Sequence, residues 1–317
     1  MEKRALGKSG ITIPPLVFGG NIFGWTADEA TSFKLLDRLV GAGYNAIDTA
    51  DVYSVWAPGH QGGESEIVIG NWLKRRGGRE RVVIATKVGM KMGSGEEGLS
   101  PKWIALEVER SLKRLQTDYI DLYQAHRDDP LTPLEETLQA FAKLMEQGKV
   151  RAIGASNYTA PRLKEALETS QRLGLPRYES LQPHYNLMQR EAYENELEPL
   201  CQAEGLGVIN YYALAGGFLT GKYRSEADFG KSPRGAGVKR YLDERGKRVL
   251  ATLDETAARY GAKPGQVAIA WLVARPSITA PIASATNFDQ LDELLKAVEL
   301  KLDRDAIEEL DRASALT

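Results

Sequence analysis

The chain has 317 residues, of which 43% are hydrophobic and 26% are charged, and its formal net charge at pH 7 is -2. This is the composition of an ordinary globular protein, and the nearly balanced charge excludes long-range attraction to nucleic acids or anionic membranes. One cysteine excludes an intramolecular disulfide, and three scattered histidines show no metal-ligand spacing, so we expect no metal site.

The first predicted element is a short hairpin, because the turn signal Lys8-Ser9-Gly10 divides residues 4–14 into two segments. From Leu16 onward, short apolar runs alternate with segments of helical period, which predicts eight strand-then-helix units. The predicted strands cover residues 16–18, 46–48, 82–87, 120–124, 150–155, 179–182, 207–211 and 279–282. The longest connections after strands are residues 49–62, 88–100 and 212–242.

The predicted helices carry start signals. Thr26 is predicted to cap the first helix and Ser100 the third, while Pro133 and Pro161 open the next two. The helices are predicted over residues 28–42, 64–75, 101–115, 133–146, 161–173, 193–204, 243–260, 265–274, 289–298 and 303–313. Regular alternation without a linker predicts one α/β domain over residues 1–317, a single (β/α)8 TIM barrel with extra C-terminal helices. A doubly wound sheet is the structural alternative.

Four polar side chains stand at the carboxyl ends of predicted strands, where barrel enzymes have their active sites. Asp48, Lys87 and His126 end three successive strands, and Tyr53 follows Asp48 in the next loop. Each alone is compatible with a structural role, but together they suit proton transfer by a phenol. The lysine lowers the pKa of the phenol, the aspartate holds the lysine, and the histidine bonds a substrate oxygen. Hydride from a nicotinamide is the matching partner, since no nucleophile is convincing.

Six stretches resemble the aldo-keto reductase family in the right order, and together they span essentially the whole chain. They are DTADVY from Asp48, IATK from Ile84, YIDLYQAH from Tyr119, GKVRAIGASN from Gly148, QPHYNL from Gln182 and GFLTGKY from Gly217. The resemblance implies NADPH-linked reduction of an aldehyde or ketone on a barrel whose bottom the hairpin closes. It also implies that Tyr53 is the general acid, tuned by Lys87 and Asp48, and that His126 orients the carbonyl.

The cofactor predictions follow from this resemblance, because the Gly-x-Gly-x-x-Gly motif of a Rossmann domain is absent around residues 19–24. The stretch 216–222 fits most of an NTPase phosphate loop, but Tyr223 follows it instead of Ser or Thr, which favours a cradle for the cofactor pyrophosphate. The residues predicted to contact the cofactor are Gly20, Asn21, Asp48, Ser156, Asn157, Gln182, Tyr211, Leu214, Gly216, Leu219, Gly221, Lys222, Arg234, Ser284, Gln290 and Glu293.

The choice between NADPH and NADH depends on the adenosine end. Many NADPH-selective family members carry an arginine at the position of Gln290, and arginine grips a phosphate through two hydrogen bonds. Relatives with glutamine there also use NADPH, and Arg234 or Arg240 would supply positive charge. NADPH is therefore preferred, with NADH as the alternative.

Phe23, Trp25 and Trp56 lie on loops at the predicted barrel mouth, either as an apolar wall for the substrate or packed against the barrel. We expect a small carbonyl compound as partner. No apolar run approaches the roughly 18 residues of a membrane span. The charged first residues precede no apolar segment, so we expect a cytoplasmic location. Two other functions stay open: a cofactor-binding subunit resembling potassium channel β subunits, and a Schiff-base aldolase using Lys87.

Overall fold

The computed structural model describes residues 2–94 and 96–316. Gly95 of the predicted 88–100 loop and the two end residues of the predicted 1–317 domain lie outside the described residues. The strands are β1 Arg4–Ala5, β2 Thr12–Ile13, β3 Val17–Gly19, β4 Ala46–Asp48, β5 Val83–Val88, β6 Ile120–Ala125, β7 Val150–Ser156, β8 Tyr178–Gln182, β9 Gly207–Val208 and β10 Ile282–Ala283. The α-helices are α1 Glu29–Gly41, α2 Glu64–Arg76, α3 Pro101–Leu115, α4 Leu134–Glu146, α5 Ala160–Leu173, α6 Glu198–Glu204, α7 Glu244–Tyr260, α8 Pro264–Val273, α9 Phe288–Glu299 and α10 Arg304–Ser314.

Strands β3 to β10 form one parallel sheet in the order β10-β3-β4-β5-β6-β7-β8-β9. Backbone hydrogen bonds also join the two ends of this order. Ala280 N donates to Val208 O over 3.2 Å, and Ile282 N donates to Asn210 O over 2.9 Å. The sheet therefore closes on itself, which confirms the predicted (β/α)8 barrel and excludes the doubly wound alternative, whose sheet has two free edges.

The hairpin of β1 and β2 lies at the bottom of the barrel, as expected. Its buried side chains Leu6, Ile11 and Ile13 pack in one cluster with inward-facing residues of the barrel strands. At the hairpin turn Gly7 has φ +58°, and a Cβ there would lie 2.1 Å from Glu179 O at the start of β8. Only glycine permits this close approach to the amino ends of the strands.

The helix starts follow the sequence signals with one exception. Ser100 caps α3 by accepting a hydrogen bond from Trp103 N. The predicted cap Thr26 is wrong, because Asp28 stands directly before α1 and its Oδ1 accepts from Thr31 N over 2.8 Å. The backbone of Thr26 is instead held in a turn, since its N–H donates to Ile22 O. A cap must immediately precede the first helical turn to reach its free N–H groups.

Two other segments differ from the predicted elements. The predicted helix over residues 193–204 is divided into a π-helical turn, Tyr193–Leu197, and α6. Pro199 near the start of α6 has no N–H, so it cannot form the regular helical bond to the preceding turn. The long connection after β9 contains three short 3-10 segments, Ala215–Thr220, Glu226–Lys231 and Gly235–Tyr241. None of the described helices combines the length and the apolar composition needed to cross a membrane.

Candidate active site

The interior of the barrel changes from apolar to polar toward the carboxyl ends of the strands. Ala46 and Ala85 belong to the apolar layer near the hairpin. Asp48 and Lys87 follow them by two positions, and alternate residues of a strand face the same side. Both side chains therefore point into the barrel interior, where both are buried.

Lys87 is the centre of the site. Its Nζ donates to Asp48 Oδ2 over 2.7 Å, to Thr49 O over 2.8 Å and to Tyr53 OH over 3.2 Å. Burial lowers the pKa of Lys87, but Asp48 and Tyr53 raise it by more, so the net pKa lies above the ordinary value. The amine is therefore an ammonium at neutral pH, and its three donors are matched by three acceptors.

The carboxylate of Asp48 is held from both sides. Its Oδ2 accepts a hydrogen bond from Lys87 Nζ, while its Oδ1 accepts from Gln182 Nε2 over 2.8 Å and from Gln124 Nε2 over 3.4 Å. Because each oxygen has a donor, the carboxylate has little freedom to rotate away from the lysine. Asp48 thus pairs directly with Lys87, which is the contact that the side-chain chemistry suggested.

The pKa of Tyr53 differs from the sequence prediction. Burial raises this pKa and Asp48 raises it further, whereas Lys87 lowers it, and the net pKa lies above the ordinary value of 10.0. The predicted net lowering is therefore wrong. Burial destabilises the phenolate by more than the nearby Lys87 ammonium stabilises it. Tyr53 keeps its proton at neutral pH and is poised as a hydrogen-bond donor.

His126 lies beside the tyrosine, with ring centroids 5.9 Å apart in an edge-to-face arrangement. Burial lowers the pKa of His126 well below 6.5, and the charges of Lys87 and Arg127 lower it further. The imidazole is therefore neutral at pH 7. Its Nδ1 is buried without a hydrogen-bond partner among the described residues, while Asn157 Nδ2 donates to the His126 carbonyl over 2.9 Å.

A cavity of about 570 Å³ opens from the tyrosine and the aspartate toward the start of α9. Ten of the predicted cofactor residues line it: Asn21, Asp48, Tyr211, Leu214, Gly216, Lys222, Arg234, Ser284, Gln290 and Glu293. The structure therefore brings most of the predicted cofactor set to one surface, next to the predicted acid.

Six predicted cofactor residues do not line this cavity, and three of them, Gly20, Leu219 and Gly221, lie in tight turns. Gly20 is buried, and its carbonyl accepts from Ser65 Oγ over 2.7 Å. The Leu219 side chain is fully buried in the core, and the Gly221 N–H is used within its own turn, where it donates to Phe218 O. Their contact with the cofactor stays a prediction. Neighbouring residues in tight turns point in different directions, which is why these three differ from Asn21, Gly216 and Lys222 in lining the cavity.

Ser156, Asn157 and Gln182 also lie outside the cavity lining but connect directly to the site. Ser156 Oγ donates to Gln182 O over 2.9 Å, and Asn157 Oδ1 accepts from Tyr211 OH over 2.8 Å. The Tyr211 ring is backed by His184, with ring centroids 5.2 Å apart and planes at 21°. The tyrosine is therefore held at its hydroxyl and on one face.

The cavity suits an anionic group beside the turn at residues 215–221. Gly216 and Gly217 have φ angles of 68° and 98°. A Cβ on Gly217 would lie 3.2 Å from Lys222 Nζ, so the glycine leaves room for the ammonium against the backbone. Arg234 stands over the Trp25 ring at 5.6 Å, and the ionisable groups that act on it are tyrosines rather than any described carboxylate. Two cations without a fixed carboxylate partner, one against exposed backbone, fit a phosphate-bearing cofactor.

The three predicted wall aromatics separate into two groups. Trp56 is 45% exposed and lies edge-on to Tyr53 at 5.5 Å and to Trp25 at 5.7 Å. The prediction for Phe23 is wrong, because its side chain is fully buried and stacks on Phe18 at 5.8 Å. The short turn before Phe23 directs it back into the core instead of toward the mouth.

Sequence reasoning did not assign site roles to three residues. Gln124 bonds Asp48 from β6, and its position two residues before His126 is a signal that would have found it. Tyr212 lines the cavity and is 49% exposed, and His184 packs against both Tyr212 and Tyr211, whose rings also contact each other. No local pattern predicts that packing, because it joins two different barrel strands.

The chain matches known proteins over almost its whole length. A family model described as "Aldo/keto reductase family" matches residues 15–315. "Uncharacterized oxidoreductase YrpG" of Bacillus subtilis is 36% identical over 320 residues, covering 98% of this chain and 95% of the relative. Norsolorinic acid reductase of Aspergillus flavus is 31% identical over 320 residues, covering 96% and 79%. A probable voltage-gated potassium channel subunit beta of Oryza sativa is 33% identical over 308 residues, covering 95% and 92%.

Proposed function

Because the chain belongs to the aldo/keto reductase family of oxidoreductases, we propose that it transfers a hydride between NADPH and an aldehyde or ketone. The family match confirms the resemblance seen in the motifs. The observation that carries the proposal is the contact of the partly buried Tyr53 with the buried pair of Lys87 and Asp48, at one end of a cavity that Lys222 and Arg234 also line. A proton donor and a site for an anionic cofactor thus share one space.

Tyr53 is the proposed proton donor. Lys87 Nζ donates to the phenol oxygen, so the phenol hydrogen is free to donate to a carbonyl oxygen in the cavity. When the proton leaves, the phenolate forms beside an ammonium already in place, which stabilises charge as it develops. The hydride would come from the bound nicotinamide. Asp48 keeps the ammonium oriented throughout.

His126 complements this donor without competing with it. Since its pKa is lowered by burial and by Lys87, the imidazole is neutral and offers a hydrogen bond rather than an acidic proton at pH 7. A carbonyl oxygen between the Tyr53 hydroxyl and the imidazole would be oriented by both groups. We therefore assign His126 to substrate orientation and Tyr53 to proton transfer.

NADPH is the proposed cofactor, since two cations in the cavity have no fixed carboxylate partner among the described residues. Lys222 and Arg234 both line it, and Ser284 and Gln290 line it beside α9. Gln290 Oε1 already accepts from Thr286 N over 2.9 Å, which leaves its amide N–H groups as donors. Such donors suit the oxygens of a 2′-phosphate, although more weakly than a guanidinium would.

The test is Tyr53→Phe, measured as NADPH oxidation with a panel of aldehydes and ketones. We expect turnover to fall by at least about 100-fold, since general acid catalysis contributes that much. The Kd for NADPH, read from fluorescence, should not change. Tyr260→Phe, on α7 and outside the cavity lining, is the matched control. Undiminished turnover in Tyr53→Phe would contradict the assignment.

A cofactor-binding regulatory subunit is the second candidate, favoured by the 33% identity to a probable potassium channel β subunit. NADPH binding without turnover of any carbonyl in the panel would support it over the reductase. The aldolase alternative fits less well. A Schiff base needs a neutral amine, whereas the Lys87 amine is held as an ammonium by Asp48. Borohydride trapping of a carbonyl adduct on Lys87 would reverse this judgement.

A further inference from the structure

Residues 54–63, the second part of the connection between β4 and α2, are here called the Trp56 loop. It begins directly after Tyr53 and carries the exposed indole of Trp56 edge-on against the Tyr53 ring, with centroids 5.5 Å apart. Because this indole lies beside the Tyr53 ring, we expect a bulky substituent on a carbonyl compound at the Tyr53 hydroxyl to contact it. The position of the Trp56 loop therefore bears on which compounds fit.

One carboxylate holds both ends of the Trp56 loop. Glu64 Oε2 accepts from Ser54 N over 3.2 Å and from Gly62 N over 3.0 Å, and its Oε1 accepts from Gln61 N over 2.8 Å. Ser54 is the first residue of the loop, and the other two donors are near its end. Hydrogen bonds to a carboxylate are stronger than neutral ones, so this side chain closes the loop firmly.

Two further contacts tie the same closure to the active site. The Tyr53 carbonyl accepts from Gly63 N over 3.0 Å and from Ser65 N over 3.2 Å, so the peptide of the proposed acid lies within the closed loop. His60 Nδ1 lies 3.1 Å from Ser54 Oγ and 3.9 Å from Glu64 Oε2. The imidazole thus forms a second and weaker link across the loop.

We propose that Glu64 is a positioning residue that holds Trp56 against Tyr53 and thereby determines how well the site accepts carbonyl compounds with bulky substituents. This inference rests on the proposed reductase function and deepens it. The hydroxyl of Tyr53 is oriented separately by Lys87, and that contact does not pass through Glu64. Loosening the loop should therefore alter substrate binding more than the chemical step.

The partial exposure of Glu64 makes the inference testable without unfolding the protein. Its side chain is about one quarter exposed, at 24%. In Glu64→Ala the N–H groups of Gln61 and Gly62 can bond to water, and only the N–H of the fully buried Ser54 loses its partner, so we expect the barrel itself to remain intact. Trp56, however, would lose its fixed orientation. Glu64→Gln keeps one acceptor oxygen but places an NH2 group against N–H donors, so it should give an intermediate result.

The kinetic experiment compares two aldehydes with NADPH in the full chain. They are 4-nitrobenzaldehyde, whose aromatic ring we expect to contact Trp56, and propanal, which has no ring to make that contact. For Glu64→Ala we expect the KM for the aromatic aldehyde to rise about threefold to tenfold, the range of one aromatic contact, with kcat unchanged. The KM for propanal should not change. Glu80→Ala, whose carboxylate lies at the surface 3.6 Å from Arg81, is the control.

A second measurement needs no turnover. Acrylamide quenching of tryptophan fluorescence should increase in Glu64→Ala, and this increase should vanish when Glu64→Ala is made in a Trp56→Phe background. His60→Ala should give a smaller increase, because it leaves the three backbone hydrogen bonds to Glu64 in place. Together these comparisons isolate the one indole that the loop carries.

Three results would overturn the proposal: an equal rise in KM for both aldehydes, a loss of kcat for both, or a quenching change that persists without Trp56. If the unmodified protein turns over neither these aldehydes nor any carbonyl compound of the panel, the proposed function fails instead. The quenching comparison then decides the role of Glu64 by itself, since an increase specific to Trp56 supports it and no increase refutes it.

Discussion

Removal of one charge from the buried pair of Asp48 and Lys87 should destabilise the protein strongly. Asp48→Asn keeps the shape of the side chain but places an amide opposite the Lys87 ammonium, which has no exposed surface. Breaking a buried ion pair from one side costs about 3–5 kcal/mol, because the remaining charge is left uncompensated. Against a typical total of about 5–15 kcal/mol, this is a large fraction of the free energy of unfolding.

A double-mutant cycle distinguishes the stability lost with the ion pair from the stability lost through altered packing. Lys87→Met removes the cation with little change in volume, and the Asp48 carboxylate would retain its bonds from Gln182 and Gln124. In the double variant neither charge remains, so the two losses should not add. We expect the double variant to be at least about 2 kcal/mol more stable than the sum of the single effects predicts.

Urea unfolding followed by tryptophan fluorescence gives the free energy of unfolding of the unmodified protein, the two single variants and the double variant. In Asp48→Asn the pKa of Lys87 loses the raising effect of the carboxylate, while burial continues to lower it. Lys87 then releases its proton more readily in the folded variant than in the unfolded chain. The loss of unfolding free energy relative to the unmodified protein should therefore shrink as the pH rises toward about 10. A deficit below about 1 kcal/mol at pH 7, or strict additivity in the cycle, would refute the reasoning.

Two other predictions concern buried groups near the site. Burial raises the pKa of Asp51 well above its usual value, as do Glu66 and Glu107, so the folded chain keeps a proton that the unfolded chain releases above about pH 4. Asp51→Asn, neutral at every pH, should match the unmodified protein near pH 4 and exceed its unfolding free energy by about 1 kcal/mol or more at pH 8, measured by urea titration. Burial, with Arg240, lowers the pKa of His184 to about 4, so stability should fall as the pH decreases from about 6.5 toward 4. His184→Gln should remove about 1–2 kcal/mol of that fall, allowing for partial exposure, and an identical pH dependence of Tm in both proteins would contradict this.

The sequence predicted the barrel because its signals are local. Alternation of strand and helix periods, together with caps such as Ser100, depends on neighbours within a few residues, and the structure has the same elements in the same order. The same period of two implies that Asp48 and Lys87 face the interior, since each lies two positions after an inward-facing alanine. At Thr26 and Phe23 a turn changes the direction of the chain, so the periodic pattern no longer predicts where a side chain points, and both predictions were wrong.

What the sequence alone determined is thus the family, the element order and the candidate proton-transfer residues. Only the tertiary structure decided how those residues interact. Lys87 bonds Asp48 across 39 positions and Gln182 bonds Asp48 across 134, distances in sequence over which no local pattern acts. Burial is likewise a property of the assembled barrel, and it reversed the expected pKa shift of Tyr53. The sequence states which side chains are present. Their desolvation, and the contacts that offset its cost, arise only when strands distant in sequence enclose the same space.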